Sequence, residues 1–330
     1  MTDVLSYLTN CKVFSTVSQE EDEEAWKAAR SRGIGGSDIG TICGVNKWSS
    51  ARQLYLKKTG MYEDDFDGAA SERMHFGHVL EPIVANEYER RSGNSVVISP
   101  ATLVHKDHPW ALANVDRLIV DKEGKPYGIL ECKTASEYMA DEWEEGNVPM
   151  SYIYQLTWYL GITGLKYGCF AAIVGGNKFF MYELPFDEDL FNDILLPAAN
   201  TFWNVNVKKM IEPELDGNEA ATEFIKKEHP AAAVERNSEK ELVGNTYNEL
   251  AGTVVECKQQ IKMYEKTLAE ASNRIKDELK DVEIGYTADH VIKWSPRCRT
   301  AIDTGYLQEH FPDAYQASLK STSYRVFTVK

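Results

Sequence analysis

The chain has 330 residues, 43% of them hydrophobic and 11% aromatic, enough for one large domain or a domain with an appendage. A net charge of −15 argues against a generally adhesive nucleic-acid binder, though metal ions and a local Lys/Arg-lined groove can still hold a polyanion on an acidic protein. No apolar run is long enough for a transmembrane helix and the N-terminus lacks a signal-peptide pattern, so a cytoplasmic protein with no membrane partner is expected.

In chain order, Ser18 followed by acids from Glu20 to Glu24 predicts a helix start, with Trp26 and Arg30 one turn apart on the same face. Gly33-Ile34-Gly35-Gly36-Ser37-Asp38 reads as a tight turn into a helix capped by Ser37 or Asp38. Such a turn is an anion site or an ordinary capped turn; without Gly-Lys-Ser/Thr it is not a Walker motif. Residues 46–50 read as a loop, followed by a helix ended by Gly60, and residues 61–70 as an acidic loop. From Ser71 to Tyr88 the apolar positions follow helical spacing, with Glu81 in the middle of the stripe before Pro82 and flanked by His75 and His78. A buried, unpaired carboxylate is costly, so a metal would account for Glu81. Residues 95–104 read as strands.

Residues 113–120 and 128–134 flank a turn at 121–126 and predict a β-hairpin. Glu131 and Lys133 are separated by one residue and leave the same face of a strand. The hairpin can bring Asp116 beside them. Two carboxylates and an ammonium suit a metal-dependent hydrolase: the acids hold a hard cation, and the lysine orients a water and offsets transition-state charge. A surface hairpin bearing one cross-strand ion pair is the alternative, because so short a pattern recurs by chance.

Beyond the hairpin, residues 152–160 predict a helix, residues 167–184 a second hairpin around Gly175-Gly176-Asn177, and 186–212 further helix. The stretch 213–241 is acidic and alanine-rich and reads as a linker. Tyr247, Leu250, Val254, Cys257, Ile261, Tyr264, Leu268, Ala271 and Ile275 then form a heptad seam, which serves a long helix on its own domain or an intermolecular coiled coil equally well. The tail reads as a strand at 290–294, a helix over 305–318 interrupted at Pro312, and a strand at 324–329. The six cysteines show no CxxC-type spacing, so neither disulfides nor an iron–sulfur cluster is expected.

Taken together, Trp26-x₃-Arg30, Gly33 to Asp38, Gly77-x₃-Glu81-Pro82, Val115-Asp116-Arg117, Leu130-Glu131-Cys132-Lys133-Thr134 and Tyr152-x₂-Gln155 resemble the YqaJ-type phage recombination exonucleases. These are relatives of lambda exonuclease in the PD-(D/E)xK nuclease superfamily. The resemblance covers residue 26 to about residue 210, and the tail also looks like an extension found in longer phage members. It implies a mixed α/β fold: a central mixed sheet flanked by helices, with residues 1–212 as catalytic domain, 213–241 as linker and 242–330 as a C-terminal appendage. It also implies Mg²⁺- or Mn²⁺-dependent 5′→3′ removal of nucleotides from linear duplex DNA ends. The resulting 3′ overhangs would serve a single-strand annealing protein. By the same resemblance Asp116, Glu131 and the Cys132 carbonyl hold the metal, with Glu81 adding a ligand. Lys133 orients the attacking water, and Gln155 and Tyr152 support it. Arg30 and Ser37 resemble a pocket for the terminal 5′-phosphate.

Lambda exonuclease has a serine where Asn114 stands here and lacks such an appendage, so that phosphate contact and a trimer do not carry over; a homo-oligomer of another kind is compatible. Two further readings are a related endonuclease of the superfamily and a non-catalytic DNA-end or partner-binding protein. The Arg30/Ser37 pair weighs against the first, and the intact Glu81, Asp116, Glu131 and Lys133 against the second.

Overall fold

The computed structural model describes residues 4–17, 21–62, 68–99, 102–144, 146–235 and 238–329. After β1 (Cys11–Ser15), α1 (Glu23–Ser31) begins at Asp22, whose carboxylate accepts the Ala25 amide at 2.9 Å. The cap expected at Ser18 lies outside the described residues. With Asp22 as cap, Glu23 and Glu24 fall in the first turn, where acids suit the helix dipole. Next, α2 (Gly36–Ile42) starts at Gly35, and the Asp38 carboxylate reaches back to the Gly35 amide at 2.9 Å. Lys58, at the end of α3 (Ala51–Lys58), pairs with the same carboxylate at 2.8 Å.

The helix expected from Ser71 is longer: α4 spans Gly68–Ser92 and carries Pro82 inside it. It takes in three residues of the expected acidic loop, of which 63–67 lie outside the described residues. Only part of its predicted stripe is covered. Val84, Ala85 and Tyr88 are buried, whereas Met74, Phe76 and Ile83 are exposed, as are His75 and His78.

Between residues 11 and 185 the strands form two sheets. Five strands, β2 (Ser95–Ile98), β5 (Arg117–Val120), β6 (Pro126–Ala135), β7 (Tyr167–Val174) and β8 (Lys178–Pro185), stand in that order. All neighbours are antiparallel except β6 and β7, which run parallel and are joined through α5 (Met150–Thr163). This is the mixed sheet expected. A second sheet sets β1 against β3 (Thr102–His105), and β3 against β4 (Leu112–Ala113). The runs 95–104 and 113–120 are thus each shared between the two sheets, because a period of two is the same in both.

Alternation along the central strands divides the core. Ile129, Phe170, Ala172 and Val174 face α5, packing with Leu156, Trp158 and Tyr159. Leu130, Cys132, Cys169 and Ala171 face the opposite way, against Val84, Ala85 and Tyr88 of α4. Close approach of α2 to α5 depends on Gly36, where an added Cβ would lie 2.4 Å from the Tyr159 ring. A helical rod follows β8: α6 (Leu196–Thr201) is bracketed by π-helical turns at Leu190–Leu195 and Phe202–Val207.

The chain divides into two compact units, Met1–Lys227 and Glu228–Lys330. The boundary lies inside the stretch read as a linker. Its first part forms α7 (Glu219–Glu228), which buries Phe224 edge-on against Tyr62 at 5.5 Å and so belongs to the first unit. The second unit holds α8 (Asn245–Leu279), the antiparallel pair β9 (Ile284–Tyr286) and β10 (Val291–Lys293), and two short helices, α9 (Thr304–His310) and α10 (Pro312–Ser318). The break at Pro312 is as expected. The strand expected at 324–329 is not formed: among the described residues that alternating run has no neighbouring strand to pair with, and its Tyr324, Val326 and Phe327 are exposed. Among the described residues no helix is long and apolar enough to cross a membrane.

Candidate active site

Strand β6 carries the centre of the site. Leu130 and Cys132 point into the α4 side of the core, so Glu131 and Lys133 point to the α5 side, as their spacing requires. Glu131 is 1% exposed. Its Oε1 accepts from Lys133 Nζ at 2.7 Å and from Gln155 Nε2 at 2.6 Å, while its Oε2 is buried without a hydrogen-bond partner. Gln155, from α5, also accepts from Lys133 Nζ at 3.1 Å and donates to the Tyr159 hydroxyl at 3.3 Å. Tyr152, one turn earlier, places its ring 4.7 Å from the ammonium. Spacing placed Glu131 and Lys133 together, the family resemblance added Gln155 and Tyr152, and the fold brings all four into one group.

Asp116 arrives differently from expectation. It stands in the crossing from β4 to β5, one residue before β5 begins. Its Oδ2 accepts the Cys132 amide at 2.8 Å, which holds the carboxylate at the edge of the Glu131–Lys133 pair. Asn114 is tied to Thr102 Oγ1 at 2.7 Å on the small-sheet side of the same crossing.

Burial pushes the Asp116 carboxyl well above the usual carboxylate range, and the Glu131 charge adds to this against the pull of Lys133. Burial likewise raises Glu131, with Lys133 opposing. For Lys133, burial would lower the ammonium's pKa, but the Glu131 and Asp116 charges outweigh it and hold it above its ordinary value. The lysine is thus a fixed cation at neutral pH, beside two acids that repel each other.

Sequence reasoning gave Arg117 no task, although it lies in a motif. The residue is 8% exposed; its Nη1 donates both to Glu81 and, at 2.6 Å, to the Asp116 carbonyl. Glu81 is therefore paired with an arginine. The signal that was available is the adjacency of Arg117 to Asp116, since a strand arginine beside a buried acid needs a partner of its own.

Arg30 and Ser37 are brought into contact, Nη2 donating to Oγ at 3.3 Å, with the guanidinium 4.4 Å from the Trp26 ring. A cavity of about 470 Å³ opens beside them, lined by Ser37, Tyr152 and Gln155 among others.

The site fits a hard cation in its donor chemistry. It offers two mutually repelling carboxylates and an orphaned carboxylate oxygen, Glu131 Oε2, with no protein donor to satisfy it. The third expected carboxylate, that of Glu81, is turned to Arg117. Accordingly, among the described residues no three of His, Cys, Asp and Glu stand together as a ready metal cluster.

With this geometry in place, the chain can be set against known proteins. The profile of the YqaJ-like viral recombinase domain matches residues 25–166, the segment from α1 through α5 that supplies every residue above. The YqaJ protein of Bacillus subtilis (strain 168) is 39% identical over 315 residues, 95% of this chain and 96% of that one. The chain belongs to the YqaJ family. The relation to the Bacillus YqaJ runs well past residue 166 and takes in the second unit. Two solved structures overlap the YqaJ-family chain more loosely. An alkaline exonuclease (LHK-Exo) from Laribacter hongkongensis is 18% identical with a TM-score of 0.48, over 64% of this chain and 100% of that one. A phage related exonuclease from Haemophilus somnus 129PT is 11% identical with a TM-score of 0.41, over 54% and 96%.

Proposed function

We propose that this YqaJ-family protein is a divalent-metal-dependent exodeoxyribonuclease that degrades linear duplex DNA from its 5′ ends and leaves 3′ single strands for recombination by annealing. The observation that carries the reading is the buried Glu131–Lys133–Gln155 group with Asp116 at its edge. Four polar side chains gathered in the core where β6 meets α5 are costly unless used. Asp116, Glu131 and the Cys132 carbonyl would hold Mg²⁺ or Mn²⁺, with Glu81 as a further oxygen. When bound, the ion supplies Lewis acidity toward a phosphoryl oxygen and toward a water. Lys133 donates hydrogen bonds to the attacking water and to the charge that builds on phosphorus oxygens. Gln155 keeps the ammonium in register from α5, and Tyr152 offers its ring face to the cation. Arg30, with its planar fork, and the Ser37 hydroxyl would receive a terminal phosphate. The second unit, with its heptad helix, is proposed as the part that meets an annealing protein or another copy of the chain.

Digestion tests this directly. Linear duplex with a 5′-phosphate should be degraded in Mg²⁺, a 5′-hydroxyl end more slowly, and a circle not at all, with no cleavage in chelator. Arg30→Ala should abolish the preference for the phosphorylated end. Cutting of circles would point to the endonuclease reading, and inertness on every substrate to a non-catalytic end binder.

A second expectation concerns metal and pH. Asp116 and Glu131 have folded-state pKa values above their ordinary ones. The stability they contribute is therefore present below the ordinary carboxylate pKa and is lost as pH rises through the raised values. Where pH has risen through those raised values both acids are charged and repel, so Mg²⁺ should stabilise the fold there by about 2.7 kcal/mol at a hundredfold excess over Kd, seen as a higher Tm. The gain should fade on acidification, as protons compete. Scanning calorimetry of wild type and Asp116→Asn decides it: an equal Mg²⁺ shift in both would place the ion elsewhere.

A further inference from the structure

The second unit has no core of its own: among its described residues no side chain is buried. Its longest element, α8, has 35 residues and is about 52 Å long at 1.5 Å per residue. The helix starts at Gly244, which offers no side-chain cap, and carries Gly252 and the β-branched Thr253, Val254 and Val255 in its interior. Such a segment is a weak helix former by itself, and helices of this kind draw their stability from covering an apolar face. Yet Ile261, Tyr264 and Leu268, in the middle of the seam, are each more than half exposed. The seam needs an occupant, and its own sequence fits it to one.

Nine positions from Tyr247 to Ile275 keep the heptad spacing. Set against a second α8 running the other way, the seam closes on a dyad between Lys262 and Met263. Ile261 then faces Tyr264 of the second copy, Cys257 faces Leu268, and Val254 faces Ala271. Each layer joins a larger side chain to a smaller one, so the seam stays even in thickness. A parallel pair in register would set Tyr264 on Tyr264 and Ala271 on Ala271, one layer overfilled and another underfilled. The flanking charges make the same choice. In the antiparallel pair Lys258 of each copy meets Glu265 of the other, so the contact forms twice. In the parallel pair these two residues would face Thr253 and Gln260, which carry no charge. Among the described residues neither Lys258 nor Glu265 has an ion pair within its own chain; Lys258 has the Phe327 ring 5.9 Å away.

The area is sufficient. Nine seam side chains on each helix reach the roughly 1,000 Å² of a stable interface if each loses about 60 Å². The contact is isologous, the same face serving on both sides, so two copies satisfy it and a third cannot add.

We infer that α8 is a self-interface, an antiparallel two-stranded coiled coil with a second copy of this chain, oriented by two Lys258–Glu265 pairs. This goes beyond the nuclease reading and does not depend on it: the readouts are mass and cross-links, not cleavage.

Sedimentation of the full-length protein over a range of concentrations tests it. Wild type should contain an even number of chains, and Ile261→Glu half as many. Lys258→Glu sets like charges together at both contacts and should weaken association by about tenfold or more. The double variant Lys258→Glu/Glu265→Lys should restore it. The two positions lie two turns apart and are not neighbours on one helix, so restoration requires contact between copies. Oxidation reads the orientation. Leu268→Cys should form an interchain disulfide to Cys257, identified by peptide mass, and wild type should form none between two copies of Cys257. A Cys257–Cys257 disulfide in wild type, or unchanged association of Lys258→Glu, would overturn the antiparallel pairing. A wild type that stays a single chain, or equal masses for wild type and Ile261→Glu, would overturn the self-interface and leave the seam to a different protein.

Discussion

Glu131→Gln and Lys133→Met should each reduce cleavage of linear duplex by about 10³-fold while leaving the protein folded. The glutamine is nearly isosteric and keeps an oxygen where Lys133 and Gln155 donate. What it loses is the negative charge and the free lone pairs of the orphaned Oε2. Because burial already disfavours the Glu131 carboxylate, neutralising it should hold or raise Tm rather than lower it. Lys133→Met removes a buried ammonium and keeps much of the stem's volume. The loss should appear in kcat more than in KM, since both groups act on the reacting phosphate. A folded Glu131→Gln protein with near-normal turnover would sink the assignment of β6 as the catalytic strand.

The largest stability loss is expected at Trp158. It is fully buried on α5, its Nε1 donates to the Leu112 carbonyl at 3.0 Å, and it packs between Trp110 at 6.3 Å and Phe191 at 5.7 Å. Trp158→Ala should cost about 3–5 kcal/mol, a large part of the roughly 5–15 kcal/mol that holds a typical domain together. At about 2–4 °C per kcal/mol for a unit this size, Tm should fall by about 10 °C or more, or the protein should be recovered unfolded. Circular dichroism on heating reads the change. A shift of only a few degrees would mean that the surroundings of Trp158 collapse into the space it leaves.

Which side chains share a face was legible because it is periodic; the grouping of Gln155 and Tyr152 with Lys133 came from the family resemblance. Glu131-x-Lys133 fixes a face of a strand, and Tyr152-x₂-Gln155 and Trp26-x₃-Arg30 each fix a face of a helix, and all of these hold in the fold. Partner choice was not legible. Alternation at 113–120 says strand but not which sheet, so the switch from β4 to β5 that presents Asp116 was hidden. Glu81, in an apolar stripe, was expected to need a metal; its carboxylate instead meets Arg117, which comes from 36 residues away and which no spacing rule connects to it. The acidic composition of 213–241 suggested a linker, yet α7 within it buries Ala220, Ala221 and Phe224, the last edge-on against Tyr62. At 324–329 the alternating pattern was present and, among the described residues, the partner strand was not.

The chain order of the site also sets when its charges leave water. The β5–β6 hairpin is local and emerges first from the ribosome, with Glu131 and Lys133 still hydrated. Gln155 comes with α5, and the parallel partner of β6 is complete only at Val174. Parallel pairing through a helical crossover is a non-local and therefore slow step. The dearest desolvation in this unit is thus deferred until some forty further residues have been made. A nascent chain halted before Val174 would leave Glu131 and Lys133 on an uncovered strand, still open to water.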